Sequence, residues 1–114
     1  MVVWKSLSGQ NEDVMKTLYR NKKILELANE TEHCLGCGRY NDGCVVGAHS
    51  NQLRDGKGRG IKAHDYRIAY MCDRCHYEID QGTTLSRDER KERWEDAHRA
   101  TIGWLFENGH LTVK

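Results

Sequence analysis

The sequence predicts a small α+β domain in which two short strands lead into a helix, with one helix ahead of this unit and a longer one behind it. Three observations carry the prediction. Apolar residues recur at helical spacing toward both ends of the chain, while the middle holds only two β-prone segments around a glycine-rich loop. Four of the five cysteines form two Cys-x2-Cys pairs that bracket those segments. At 114 residues the chain is one domain's worth, 1–114, and a domain of this size buries about two thirds of its unfolded surface. Only 38% of residues are hydrophobic against 31% charged, so an internal cross-link would contribute a useful share of the stability.

The first element is a helix over residues 11–30. Val14, Met15, Leu18, Leu25 and Ala28 lie at helical spacing, and Asn11 is placed as an N-cap ahead of Glu12 and Asp13. Lys16, Arg20, Lys22 and Lys23 crowd the same stretch and read as a solubilising surface in preference to a phosphate-facing side. The strand candidates are Cys44-Val45-Val46 and Tyr66-Arg67-Ile68-Ala69-Tyr70. Between them Arg54, Lys57, Arg59, Lys62 and Arg67 stand against Asp55 and Asp65, interleaved with Gly56, Gly58 and Gly60, which reads as a mobile basic loop. A helix then carries Asp73 to Gln81 and stops at Gly82. Ser86 and Glu89 form a capping box that opens the last helix, 86–108, whose stripe of Trp94, Ala97, Thr101, Ile102 and Leu105 runs to Asn108-Gly109. Trp94 and Trp104 read as core. With no proline, internal repeat or low-complexity tract, nothing points to a second domain.

No apolar run approaches the roughly 20 residues of a membrane span, and Met1-Val2-Val3-Trp4-Lys5-Ser6 lacks a signal peptide's long apolar stretch. The expectation is therefore a cytoplasmic protein without a membrane partner, in which thiols stay reduced and paired cysteines bind metal. Cys34-x2-Cys37 and Cys72-x2-Cys75 offer four thiolates suited to tetrahedral Zn²⁺, because a two-residue spacer lets one tight turn present two sulfurs to one ion. Four cysteines saturate the ion and leave no position for water, so this zinc holds the fold over 34–82 and does no chemistry. Cys44, outside both pairs, reads as a small buried hydrophobe. The net charge of +1 excludes a protein that coats nucleic acid through bulk electrostatics.

Residues able to do chemistry lie elsewhere. His76 and Asp80, four apart on a helix, emerge on one face within reach of a single cation and leave its other positions open, as a hydrolytic divalent metal requires. His49 ends the Val45-Val46-Gly47-Ala48 segment, and a neutral imidazole there can take a proton from water.

The order Cys-x2-Cys, Ala48-His49, basic loop, Asp65, Cys-x2-Cys-His76-x3-Asp80 resembles the HNH endonucleases, and more narrowly the small prophage-encoded nucleases of the YbcO type. The likeness covers residues from Cys34 to the C-terminus, including Trp104-Leu105-x-x-Asn108-Gly109. It implies a ββα-metal core with His49 as general base, His76 and Asp80 as ligands of a catalytic ion, and Cys34, Cys37, Cys72 and Cys75 as structural zinc ligands. Two positions depart from the pattern. Ala48 stands where many members carry a metal ligand, and Arg67 stands where the middle Asn belongs. Asp65 is the candidate replacement, a carboxylate bonded to Nδ1 that would fix the tautomer of His49, with Asn51 and His64 as alternatives.

The implied reaction is phosphodiester hydrolysis, with Mg²⁺ the physiological expectation and Mn²⁺, Ni²⁺ or Zn²⁺ compatible with a histidine ligand. Arg54, Lys57, Arg59, Lys62 and Arg67 would grip the backbone of the nucleic acid, DNA in the first instance. A homodimer or a targeting protein partner would supply the affinity that a near-neutral chain lacks. The competing reading is a non-catalytic zinc-binding module for nucleic acid or protein.

Overall fold

The computed structural model describes residues 18–114. Asn21 caps helix α1, Lys22–Glu26, by accepting the Ile24 N–H at 3.2 Å. The chain then tightens into a 3-10 turn, Leu27–Glu30. Strand β1, Val45–His49, pairs antiparallel with β2, Ile68–Cys72, in the register Val45↔Cys72 to His49↔Ile68. Helix α2, Asp73–Asp80, follows β2 without a break, and α3, Arg87–Glu107, closes the fold. Among the described residues the architecture is a two-stranded sheet with three helices, and the order β1, β2, α2 is the expected strand-strand-helix unit.

Two expectations shift. The helix read over 11–30 falls partly on residues outside those described; within them Leu18 to Arg20 is not helical and helix begins only at Lys22. The reason is local competition, since the Asn21 side chain bonds the backbone and ends helix propagation toward its N-terminal side. The strands lie a little later than their β-prone residues. Gly47 and Ala48 have weak strand propensity, yet they extend β1 because α1 crosses there, and a Cβ on Gly47 would come within 3.3 Å of Leu25 Cδ2. Tyr66 and Arg67 fall in a turn instead, closed by the Arg67 N–H on the His64 carbonyl.

All five residues of β2 are buried. A strand in a two-stranded sheet has one free edge, and a buried edge must find polar partners. Here α3 and the first cysteine pair supply them. His98 Nδ1 donates to the Ile68 carbonyl at 2.7 Å, and Thr101 Oγ1 accepts the Tyr70 N–H at 2.8 Å. Further along, the Tyr70 carbonyl accepts the Leu35 N–H, and the Cys72 N–H donates to Cys34 Sγ at 3.2 Å. The expected capping box at Ser86 and Glu89 is formed in both directions and starts α3. From there Trp94 is buried against the sheet, with Nε1 donating to the Ala48 carbonyl at 3.0 Å.

Thr101→Val keeps the shape of a fully buried side chain but strips the Tyr70 N–H of its partner. The expected cost is about 1–3 kcal/mol, the desolvation penalty of an unmet buried donor, read as a lower urea midpoint with unchanged slope; an unchanged midpoint would show that the edge bond is dispensable.

Candidate functional site

The four paired cysteines come together at the end of the sheet. Cys34 and Cys37 arrive on the loop before β1, and Cys72 and Cys75 at the close of β2 and the first turn of α2. All four sulfurs lie within 4.8 Å of one another, with Cys34 to Cys75 at 3.9 Å and Cys37 to Cys72 at 3.8 Å. Sulfurs about 2.3 Å from a central tetrahedral ion stand about 3.8 Å apart, whereas a disulfide needs about 2.05 Å. Cys34 Sγ accepts the N–H groups of Gly36, Cys37 and Cys72 at 3.2 to 3.3 Å, which fixes its position in the cluster. Burial and the neighbouring thiols push the Cys75 thiol far up, as expected of thiols crowded together without a cation between them. The four cysteines are positioned to hold one metal ion, consistent with a structural zinc. Cys44 stays outside the cluster, half-buried, with its thiol toward the Tyr40 carbonyl.

At the opposite end of the sheet, His49 closes β1 and meets Asp65, which lies on the approach to β2. His49 Nε2 is 2.7 Å from Asp65 Oδ1. The anchored nitrogen is therefore Nε2 and not Nδ1 as the sequence reading had it. A carboxylate can only accept, so the proton sits on Nε2 and the Nδ1 lone pair is left as the basic one. Asp65 is itself held from the other side: Oδ2 accepts the Asn21 N–H at 2.6 Å, and Arg20 Nη1 lies 3.3 Å from Oδ1. Burial raises the Asp65 pKa, but His49, the Asn21 N–H and the Arg20 charge outweigh it and hold the carboxyl below its ordinary value. Arg20 also donates to the carbonyls of Lys62 and Ala63. Its role is thus to clamp this turn, a correction to its reading as a solubilising charge.

His76 and Asp80 meet on one face of α2, Nε2 to Oδ2 at 2.8 Å, and both are partly exposed. The hydrogen bond to Asp80 raises the His76 pKa. For Asp80, burial raises the pKa, and the bonds from His76 and Asn51 with the Lys57 charge bring it below the ordinary value. Asn51, two residues beyond His49, donates to Asp80 Oδ1 at 2.6 Å. That bond ties the exit of β1 to α2, so Asn51 serves Asp80 and not His49. Among the described residues no hydrogen bond or ion pair joins His49 directly to His76 or Asp80, and the cysteines are the only set of three or more candidate metal ligands within 4.8 Å.

Asp80 lies on the wall of an open cleft of about 680 Å³ between the turn after β1, the end of α2 and the start of α3. Arg54, Arg87, Arg90 and Lys91 line it against Asp80 and Asp88. Arg87, Arg90 and Lys91 carried no motif. Their one signal is that cations in the first turns of a helix oppose its dipole and so want another partner.

The basic loop is bonded along its length instead of being a mobile connection. A 3-10 turn at Leu53–Asp55 ends at Gly56 with φ +91°, Gly58 pairs with Ile61, and the His64 N–H donates to the Asp55 carbonyl. Arg54, Arg59 and Lys62 are exposed and Lys57 half-exposed. Arg67 does not join them. Its guanidinium lies 4.8 Å over the Trp94 ring, with Nη2 2.7 Å from Glu95 and Nε in a 3.0 Å charge contact with Asp55. An arginine paired twice and stacked is packed into the fold and is not free to grip a phosphate. Ala48 is buried and carries no donor atom, so the position directly before His49 supplies no metal ligand.

No family model, curated protein or solved structure matches this chain. Among the described residues no helix is long and apolar enough to cross a membrane.

Two predictions separate scaffold from site. Cys72→Ser should cost the protein its metal and its cooperative melt, whereas His49→Ala should retain both; equal loss of metal, measured by atomic emission beside circular dichroism, would mean the two sites are not separate. Asp65→Ala should destabilise the fold by about 2 kcal/mol at neutral pH, because the Asn21 N–H, His49 and Arg20 lose their acceptor. The folded carboxyl lies below 3.8, so its contribution is complete above that value and fades as pH falls through the lower folded pKa. Urea titrations at pH 7 and in acid should show the difference from wild type narrowing, and a constant difference would deny the ionic role.

Proposed function

We propose that the protein is a metal-dependent endonuclease of the HNH type that hydrolyses phosphodiester bonds in DNA. The observation that carries this reading is the His49–Asp65 hydrogen bond at the end of β1, in a ββα unit whose helix brings His76 and Asp80 together. Zinc at the four cysteines is the structural ion of this reading, since a closed set of sulfurs leaves no place for substrate.

His76 and Asp80 would hold the catalytic ion. The fit is favourable because a nitrogen and a carboxylate oxygen converge on one partly exposed point, which leaves room for water and phosphate. A divalent ion there, Mg²⁺ first and Mn²⁺, Ni²⁺ or Zn²⁺ as alternatives, supplies Lewis-acid stabilisation of charge on the phosphate and the leaving 3′ oxygen. The chain's own residues supply the rest. His49 Nδ1 takes the proton of the attacking water, and the imidazolium that forms is stabilised through Nε2 by Asp65. Arg20 and the Asn21 N–H keep Asp65 ionised for that task. Arg54, with Arg87 and Lys91 across the cleft, and the loop cations Arg59 and Lys62, exposed, and Lys57, half-exposed, suit a polyanionic strand, giving binding that weakens with salt and reads little sequence.

One observation favours a second reading, a zinc-stapled binding module without catalysis. The buried Ala48 leaves the proposed ion two protein side chains from the motif. Incubation of supercoiled plasmid with Mg²⁺, Mn²⁺ or Ni²⁺ decides between them. Nicking that stops with EDTA and falls about 10²- to 10⁴-fold in His49→Ala, the usual worth of a general base, is the expected result. Folded, metal-loaded protein that cuts with none of these ions would give way to the binding module.

A further inference from the structure

Residues 64–66 face two ways. Asp65 is turned inward to His49, at 2% exposure, while its neighbours His64 and Tyr66 turn out and stack, ring centroids 4.8 Å apart and planes 7° from parallel. Tyr19 leans on Tyr66 at 5.7 Å. The Tyr19 N–H donates to His64 Nδ1 at 3.1 Å, and its carbonyl accepts the Asp65 N–H at 3.0 Å. The three rings are thus set by the same backbone segment that clamps the proposed base. Even so, Tyr66 is 49% and Tyr19 43% exposed.

The rim of this aromatic surface is basic. Both acids of the loop are consumed inside: Asp55 by Ser50 and Arg67, Asp65 by His49, Arg20 and Asn21. Lys62 is exposed beside the aromatic surface, its carbonyl accepting from Arg20, which keeps part of its side chain in solvent while it clamps Asp65; Arg59 is exposed on the same loop. The platform is also continuous with the basic cleft. Gly56 ends the Leu53–Asp55 turn against His64, whose ring would lie 3.2 Å from a Cβ at that glycine, while Leu53 and Arg54 of the same turn line the cleft beside Asp80.

We infer that the Tyr19, Tyr66 and His64 rings form a base-stacking platform and that the substrate engages it as single-stranded DNA. The inference rests on the nuclease reading for its substrate class and adds the strand state. Flat rings rimmed by cations are how proteins hold unpaired strands, because every base offers a π face and every linkage a phosphate. In a duplex those faces are already stacked, and only the phosphates remain to be met.

The test is fluorescence anisotropy at fixed salt on the full-length zinc-loaded protein without added divalent cation. The probes are a labelled thymidine strand of about 12 nucleotides, within the usual single-strand site size, a duplex and a uridine strand of the same length. The thymidine strand should bind tightest. Tyr66→Ala should weaken it by about fivefold or more, the lower end of stacking on one aromatic ring, and leave duplex binding unchanged. Tyr66→Trp should keep the affinity, with its added indole emission quenched on binding. A duplex or uridine strand bound as tightly, a neutral Tyr66→Ala, an unquenched indole, or no binding to any probe would overturn the inference. Metal-dependent cleavage without single-strand preference would overturn it and spare the nuclease reading; single-strand binding with Tyr66 dependence but no metal-dependent cleavage of that bound strand would do the reverse.

Discussion

The free edge of β2 is the constraint around which the rest is arranged. A strand buried along its whole length in a sheet of two has one row of backbone groups that the partner strand cannot meet, and unmet groups there would cost more than a domain this small can spare. Two elements distant in sequence answer that need. The middle of α3 brings His98 and Thr101 to one part of the edge, and the first cysteine pair brings the Leu35 N–H and Cys34 Sγ to the other. The cysteine cluster is thereby continuous with the sheet, since a sulfur positioned to hold an ion also takes the last N–H of the strand.

The far end of the same sheet is organised around Asp65. Its carboxylate gathers His49 from β1, the Arg20 side chain and the Asn21 N–H into one buried node. Asp55 does the same a few residues earlier, drawing in Ser50 and Arg67. Each acid turns inward with an arginine, Asp65 with Arg20 and Asp55 with Arg67. A chain of net charge +1 therefore carries a local basic face because the loop's cations outnumber its acids and both acids are turned in.

Arg67 shows the limit of reading charge from sequence. Five cations in one loop look equivalent on the page, yet one of them lies over Trp94 between Asp55 and Glu95, and Glu95 lies 28 residues away in the chain. Arg20 moved the same way, from surface charge to clamp, through a contact spanning 45 residues. Neither outcome has a local signature, because the partners meet only when the sheet forms. Asn51 is a milder case: its place near His49 was legible, its use by Asp80 was not.

The sequence by itself determined what short-range spacing determines. Two Cys-x2-Cys pairs, a capping box at Ser86 and Glu89, a stripe along α3 and a His-x3-Asp pair all act within one or two turns of chain, so the residues involved are neighbours in any fold that contains the element. Only the tertiary structure decided that Asp65 holds His49 through Nε2, that the described helix before the sheet begins at Lys22, and that Arg54 of the loop and the cations at the start of α3 face one cleft. Those facts depend on contacts tens of residues apart, which arise when β2 is buried and its neighbours close around it, and no periodicity in the chain encodes them.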